Sequence, residues 1–492
     1  MAPSIYREVL RDLVRRSSAS GQDLAGQVQA LKDSLESRFI EREPEILASL
    51  AGLFANEPVL LIGPVGTGKT KLIEKLGEAI NGKYFYYLLH QFMEPDELLG
   101  PPNVKKYIEQ GVYERSDSGS LQQANIVFFD EPFKASSPVR NMLLDIILYK
   151  RYKSGDKEVK LPMLGLFMAA NEMPEDEEDA AFKDRLVVRV FVQKLSREGR
   201  QKMLSTTGDT NADEATVNKY KGIMSVDAVK AVQELVEKRA EAAKSDATLM
   251  ASYQNAMADI EKAGIFFSDR TFKKIWKVAS AVSVIRNKDT VTGEDLAAAI
   301  YLCVPGKEED YGAIEDAISN NKLSPTYASA KMIAVVSTEI ADLFEKAQKQ
   351  REHAINSTAS RPMETYVETL SNLDATVQKA KDVAKSQAGV PEMESWVKGL
   401  NVLIVTVGQY TAKELPSARK ELDKRQREEE AERARRRRDE HEVDSTPSST
   451  ETEQPPQLQQ PDQPDYGGYG NDWSLSRKML RSGTEEKKSK RS

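Results

Sequence analysis

One eight-residue stretch constrains this chain more than any other: Gly63-Pro-Val-Gly-Thr-Gly68-Lys69-Thr70. It follows the apolar run Val59–Ile62 directly and leads into residues 71–80, a stretch of good helix formers. Its three glycines (Gly63, Gly66, Gly68) let the backbone wrap a phosphate with N–H groups, while the following helix turns its positive end toward the same charge. Residues Pro64, Val65 and Thr67 complete the loop. Lys69 is placed to neutralise outer phosphates, and the Thr70 hydroxyl to ligate Mg²⁺. A strand before and a helix after distinguish a phosphate loop from a chance run of glycines. Such a loop hangs on the end of a buried strand, so the neighbouring sequence must supply the rest of a sheet.

It does. Short apolar runs at 84–89, 126–129, 164–170 and 187–192 alternate with helical stretches, each run ending in turn or polar residues. Runs of this length, rich in Val, Ile, Phe and Tyr, are expected of buried parallel strands. Alternation with helices predicts an α/β core over 58–195, a parallel sheet flanked by helices on both faces. Residues 1–57 read as helices leading into it, with Leu13, Val14, Leu31, Leu35, Phe39 and Ile40 at helical spacing. From about 196 strand patterns stop, and 196–305 reads as a small all-α lid with helices at Val226–Ala243, 269–286 and 295–304. Residues 306–425 continue as polar amphipathic helices, 328–353 among them, which Pro362, Pro391 and Pro416 are expected to break. Residues 426–492 read as a charged single helix, with four consecutive arginines at 435–438, passing into a disordered tail rich in Pro, Ser and Gln.

Composition removes several function classes. At about 150 residues per domain, 492 residues allow roughly three units. Lys and Arg total 70 against 77 for Asp and Glu, a net charge of −7, so no chain-wide basic field exists to hold nucleic acid. The one cysteine, Cys303, excludes an intrachain disulfide framework and reads as a core residue; His90, His353 and His441 are too scattered for a histidine-built metal site. His90 reads as a packed or capping residue. No uncharged apolar stretch reaches the ~18 residues of a membrane span, and the charged opening MAPSIYREVLRDLVRR lacks a signal core, so a cytoplasmic protein is expected.

Further candidates surround the loop. Asp130 and Glu131 end the apolar run at 126–129, where one carboxylate can hold a metal's water shell and the next can polarise an attacking water. Asn171 ends the run at 164–170, where its amide can orient that water. Arg185, in Ala-Phe-Lys-Asp-Arg-Leu, is placed to reach a neighbouring subunit's phosphates; alternatively it pairs with Asp184 or Glu178. Arg270 opens a lid helix as a second phosphate-contact candidate.

Taken together, GPVGTGKT (63–70), EPDELLGPPNV (94–104), GVYERSDSGSLQQANIVFFDEPFKAS (111–136), AANEMPE (169–175), FKDRLVVRV (182–190) and SDRTFKK (268–274) resemble the AAA+ ATPases, within them the MoxR family, close to its RavA-like branch. The resemblance covers roughly 31–305. It implies a P-loop NTPase core binding ATP and Mg²⁺, with 63–70 as Walker A, Asp130 and Glu131 as Walker B, Asn171 as sensor 1, Arg185 as arginine finger and Arg270 as sensor 2, in cis or in trans. It further implies a homo-hexameric ring with ATP between subunits, a chaperone-like action on a protein client, and a von Willebrand factor A domain partner. Residues 104–115 resemble the clade's helix-2 insertion, and 149–162 its hairpin before sensor 1; either can face a ring's pore or lie as an ordinary surface loop. Beyond about 305 the resemblance ends.

Two alternatives stay open. A DNA- or RNA-acting motor draws on Lys150, Arg151, Lys153, Lys157 and Lys160 of the hairpin and on the arginines at 435–438. A nucleotide-gated structural ring needs little turnover. A GTPase is disfavoured, because Asn287-Lys288 is followed by Asp289-Thr290 instead of the guanine-reading Asn-Lys-x-Asp.

Overall fold

The apolar runs that alternate through 59–191 form one five-stranded parallel sheet. In a computed structural model describing residues 5–15, 24–111, 115, 121–154, 157–174, 179–205 and 220–443, its order is Tyr84–Leu88, Ile126–Asp130, Gly165–Ala170, Val59–Ile62 and Val188–Phe191. Every pairing is parallel, for example Val59 with Phe167 and with Val188. Strands Val59–Ile62 and Gly165–Ala170 are buried throughout, which is why they read as unbroken apolar runs. Period-two alternation still sorts their side chains onto two faces. Val59, Leu61, Phe128 and Phe167 pack with Leu72 and Leu76 of helix Lys69–Ala79 and with Leu53 and Phe54 of helix Glu43–Ala55. Leu60, Ile62, Phe129 and Met168 pack with Val139, Leu143 and Ile146 of helix Ser137–Tyr149. Truncating Phe128 to alanine would cost about 3–5 kcal/mol, the usual range for a large aromatic in a closed core.

The chain's first strand lies between the fourth and the fifth. At such a reversal of strand order the connections leave in opposite directions and open a crevice at the carboxyl ends of the strands. The glycine loop leaves Ile62 into that crevice.

Helix Glu43–Ala55 is buried along its whole length, so it belongs to the core and is more than a lead-in. Its two acidic residues are buried with partners: Glu45 accepts from Arg7 at 2.5 Å, and Glu43 lies 3.6 Å from Arg11. A short parallel bridge joins Ile80–Asn81 to Met224–Ser225, so strand pairing extends past 196, contrary to the sequence pattern. Two-residue strands carry too little periodicity to read. Helices Val226–Ala243, Ala247–Lys262, Asp269–Ile285 and Gly293–Cys303 follow.

Three long helices come later: Pro325–Asn356, Ser360–Ser386 and Glu394–Val443. Pro362 sits in the first turn of its helix, where a missing N–H is harmless. Pro416 does not break the last helix, as the sequence had suggested it would. The bond it forfeits is offset by ties on either side: Tyr410 to Tyr366 at 3.1 Å, Glu414 to Arg351 at 3.0 Å, and Arg425 to the Ser357 carbonyl at 2.7 Å. At the other end of the chain, Tyr6 of helix Ile5–Arg15 packs its ring 4.8 Å from Tyr301 and 5.2 Å from Tyr327. Two compact units divide the chain, Met1–Gln426 and Arg427–Ser492; the second is described only to Val443, all of it helix. The expected tail from 444, the far end of the 104–115 insertion except Arg115, the hairpin turn at 155–156, and Glu178 lie outside the described residues. Among the described residues no helix is long and apolar enough to cross a membrane.

Candidate active site

The loop turns back on itself immediately after the first strand. Gly63 donates to the Ala170 carbonyl at 3.0 Å, and a Cβ there would meet the Val192 carbonyl oxygen at 2.4 Å, so only glycine fits between the strands. Gly66, at φ +81°, has no atom within 4 Å of where its Cβ would be: it is glycine for its backbone, and the space beside it is open. Thr67 closes the turn by donating its hydroxyl to the Pro64 carbonyl at 2.9 Å. The nearly buried Lys69 amine donates to the Gly63 and Pro64 carbonyls, at 2.5 and 3.1 Å. Burial lowers its pKa, opposed by the charges of Asp130 and Glu131. Among the described residues the ammonium's hydrogen bonds go to neutral carbonyls, an arrangement that fits an incoming polyanion.

Beyond the loop, the Thr70 hydroxyl donates to Asp130 Oδ2 at 3.4 Å. Two hard oxygens side by side at an exposed position suit a small divalent cation that keeps most of its waters. Tyr86, on the adjacent strand, also hydrogen-bonds Asp130; burial and that carboxylate together raise its phenol pKa. Tyr86 was missed in the sequence because it lies in a Tyr-Phe-Tyr-Tyr run that reads as sheet packing.

Glu131 takes a left-handed backbone, φ +56°, with its N–H on the Ala169 carbonyl at 2.8 Å. A non-glycine residue held there is strained, a feature concentrated at functional sites. The turn brings its carboxylate against Asn171, whose amide donates to Oε1 at 2.5 Å, while Lys134 lies 3.5 Å from Oε2. Lys69, Thr70, Asp130, Glu131 and Asn171 thus gather at the ends of three adjacent strands.

The two arginines do not join them. Arg270 pairs with Asp184 at 2.6 Å, across 86 residues of sequence. Asp184 directly precedes Arg185, so the residue weighed as Arg185's partner serves the lid arginine instead. Arg185 donates Nη1 to the Ala181 carbonyl at 2.5 Å, and its Nε is buried without a hydrogen-bond partner among the described residues. Among the described residues, no hydrogen bond or ion pair links either arginine to the Thr70–Asn171 cluster.

Smaller expectations are corrected or met at four residues. Lys150 is not a surface charge of the hairpin: its amine turns inward to Asn56 and the Met163 carbonyl, and burial pushes it down to about 8. Arg151 is paired with Glu158 at 2.7 Å, so the hairpin Arg151–Ser154 with Lys157–Lys160 is less basic than its sequence. His90 is exposed beside Glu97 at 3.9 Å, neither packed nor capping. Cys303 is buried.

Residues 26–234 match the family described as the MoxR domain in the MoxR-vWA-beta-propeller ternary systems. An uncharacterized protein of Methanocaldococcus jannaschii is 34% identical over 271 residues, covering 55% of this chain and 69% of its own length. The chain belongs to the MoxR family of AAA+ ATPases. A second uncharacterized protein of the same organism is 33% identical over 279 residues, 56% of this chain and 69% of that one. Protein MoxR of Paracoccus denitrificans is 28% identical over 140 residues, 27% of this chain and 40% of its own. The MoxR match takes in the loop, both carboxylates, Asn171 and Arg185; Arg270 and the three long C-terminal helices lie beyond it.

Proposed function

We propose that this MoxR protein hydrolyses ATP to ADP and phosphate at sites shared between subunits of a homo-hexameric ring, and uses the cycle to remodel a protein complex. The observation that carries the reading is the pair of contacts flanking the loop: Thr70 with Asp130, and Asn171 with Glu131. The backbone of 63–70 cradles the phosphates, and Lys69 exchanges its carbonyl partners for phosphate oxygens. Thr70 and Asp130 would hold Mg²⁺, whose charge would offset the negative charge of those oxygens. Asn171 orients a water between itself and Glu131, and Glu131 takes the proton as that water attacks the terminal phosphorus and the bond to the bridging oxygen breaks, releasing ADP.

Arg185 and Arg270 act together on the adjacent subunit's nucleotide. Asp184 holds Arg270 one residue from Arg185, which brings the two arginines to one place in the fold. A von Willebrand factor A domain protein is the proposed partner, since the matched family is defined within such ternary systems. The proposed setting is the cytoplasm.

Mixing subunits tests this. K69A and R185A chains, each inactive alone, should regain part of the ATPase activity when assembled together. An R185A nucleotide site then faces an intact Arg185 from its neighbour. K69A with R270A should behave alike. Mixtures that stay inactive in verified mixed rings would refute action in trans.

A further inference from the structure

The segment just before the buried helix Glu43–Ala55 reaches in two directions at once. Arg42, 6% exposed, donates Nε to the Thr67 carbonyl of the glycine loop at 3.1 Å and Nη1 to the Glu41 carbonyl at 2.9 Å. Glu41 stands in the left-handed region, φ +56°, and sends its carboxylate the other way. It accepts from the Ser196 N–H at 2.7 Å and from the Ser196 hydroxyl, at the start of helix Arg197–Ser205. Gly199 lies so close that a Cβ there would meet the Glu41 carboxylate at 2.6 Å.

We propose that Arg42 is a positioning residue for nucleotide binding, aiming a loop N–H at the phosphates, and that Glu41 links this setting to the first helix after the core. The proposal rests on the ATPase function above. The Thr67 carbonyl and the Gly68 N–H belong to one planar trans peptide and point in opposite directions. A guanidinium that fixes the carbonyl therefore fixes the direction of the N–H. Without Arg42 that peptide plane is free to rotate, and phosphate binding must bear the ordering that the arginine now supplies. Arg42 is itself held rigidly. Its helix carries Glu45, which binds Arg7, and Arg7 also donates to the Phe191 carbonyl at the end of the last strand, at 3.0 Å. Glu41, one residue away with its own strained backbone, ties the same segment to Ser196, so a shift of that helix is felt at Thr67.

The test compares R42A, R42K and E41A by steady-state hydrolysis and by hydrogen exchange of the nucleotide-free protein. R42A should raise the KM for ATP about tenfold or more, with kcat within about threefold, the loss expected for one charge-assisted hydrogen bond. R42K, which keeps one donor, should fall between R42A and wild type. Both should speed amide exchange over residues 66–69, and E41A should speed it over 196–205 and, more weakly, over 66–69. Unchanged KM and unchanged exchange at 66–69 in R42A would overturn the proposal, as would a kcat loss with KM unmoved. Should R42A fail to fold, R42K decides by the same two readouts. Because exchange is read without nucleotide, faster exchange in a protein that never hydrolyses ATP would uphold Arg42's hold on the loop and fail the ATPase reading instead.

Discussion

Two glycines of one loop should fail in opposite ways. A methyl group at Gly63 would sit 2.4 Å from the Val192 carbonyl oxygen and 3.1 Å from its Cβ. Neither neighbour is a flexible side-chain end, and the Val192 N–H is bonded to the Ile62 carbonyl at 2.6 Å, so relief requires prising strands apart. Overpacking of this kind costs about 1–3 kcal/mol, and a disfavoured backbone about 1–3 more, giving roughly 2–6 kcal/mol. At about 1 °C per kcal/mol for a compact unit as large as Met1–Gln426, G63A should melt roughly 2–7 °C below wild type. At Gly66 the methyl meets nothing within 4 Å, so only left-handed strain of about 1–2 kcal/mol remains, but it fills the space proposed for phosphate. Thermal melts with and without Mg·ATP separate the two. Wild type at a hundredfold excess over Kd should gain about 2.7 kcal/mol of stability. G66A should melt within a few degrees of wild type and lose most of that gain. A G63A protein melting with wild type would refute the packing argument, and a G66A protein with the full ATP response would refute the phosphate cradle.

Other outcomes follow from the same contacts. N171A removes the amide at 2.5 Å from Glu131 and should lower kcat about 10–100-fold with KM for ATP little changed; a KM effect alone would place Asn171 in binding. Burial raises the Glu41 carboxyl, but the two Ser196 donors together with the Arg11 and Arg42 charges outweigh it and hold it below its ordinary 4.5. The unfolded chain then binds the proton more readily, so this contribution to stability is present above about pH 4.5 and lost as pH falls through the folded-state value. The melting difference between wild type and E41Q should shrink over that interval; a pH-independent difference would count against the Ser196 contact. Burial pushes the Cys303 thiol far up, so it should resist thiol reagents until the protein is unfolded, and rapid labelling of the native protein would contradict its position.

What the sequence made legible was whatever repeats locally. Strands buried on both faces show as apolar runs, and the loop shows because glycine, lysine and threonine must stand at fixed spacing to hold phosphate. Even so, the run at 126–129 stopped one residue short, since Asp130 continues the strand while looking like its end. The hidden features depend on partners far along the chain. Glu41, Arg42, Glu43 and Glu45 carry no local sign of burial, yet Arg7, Arg11, Ser196 and Thr67 arrive from elsewhere to meet them. Arg270 could be placed at a helix start, but its pairing with Asp184 is tertiary information. Lys150 was misjudged for the same reason: among hairpin lysines it looks exposed, and only Asn56 and Met163 turn it inward.

The central claim is that Glu131 drives hydrolysis in a site that binds ATP without it. E131Q keeps an oxygen for the Asn171 amide while removing the base, so its shape should persist. Phosphate release measured beside ATP binding should show kcat reduced about 10²–10⁴-fold, with the Kd for Mg·ATP within about threefold of wild type. Hydrolysis by E131Q at the wild-type rate, or no ATP binding by either protein, would contradict the account.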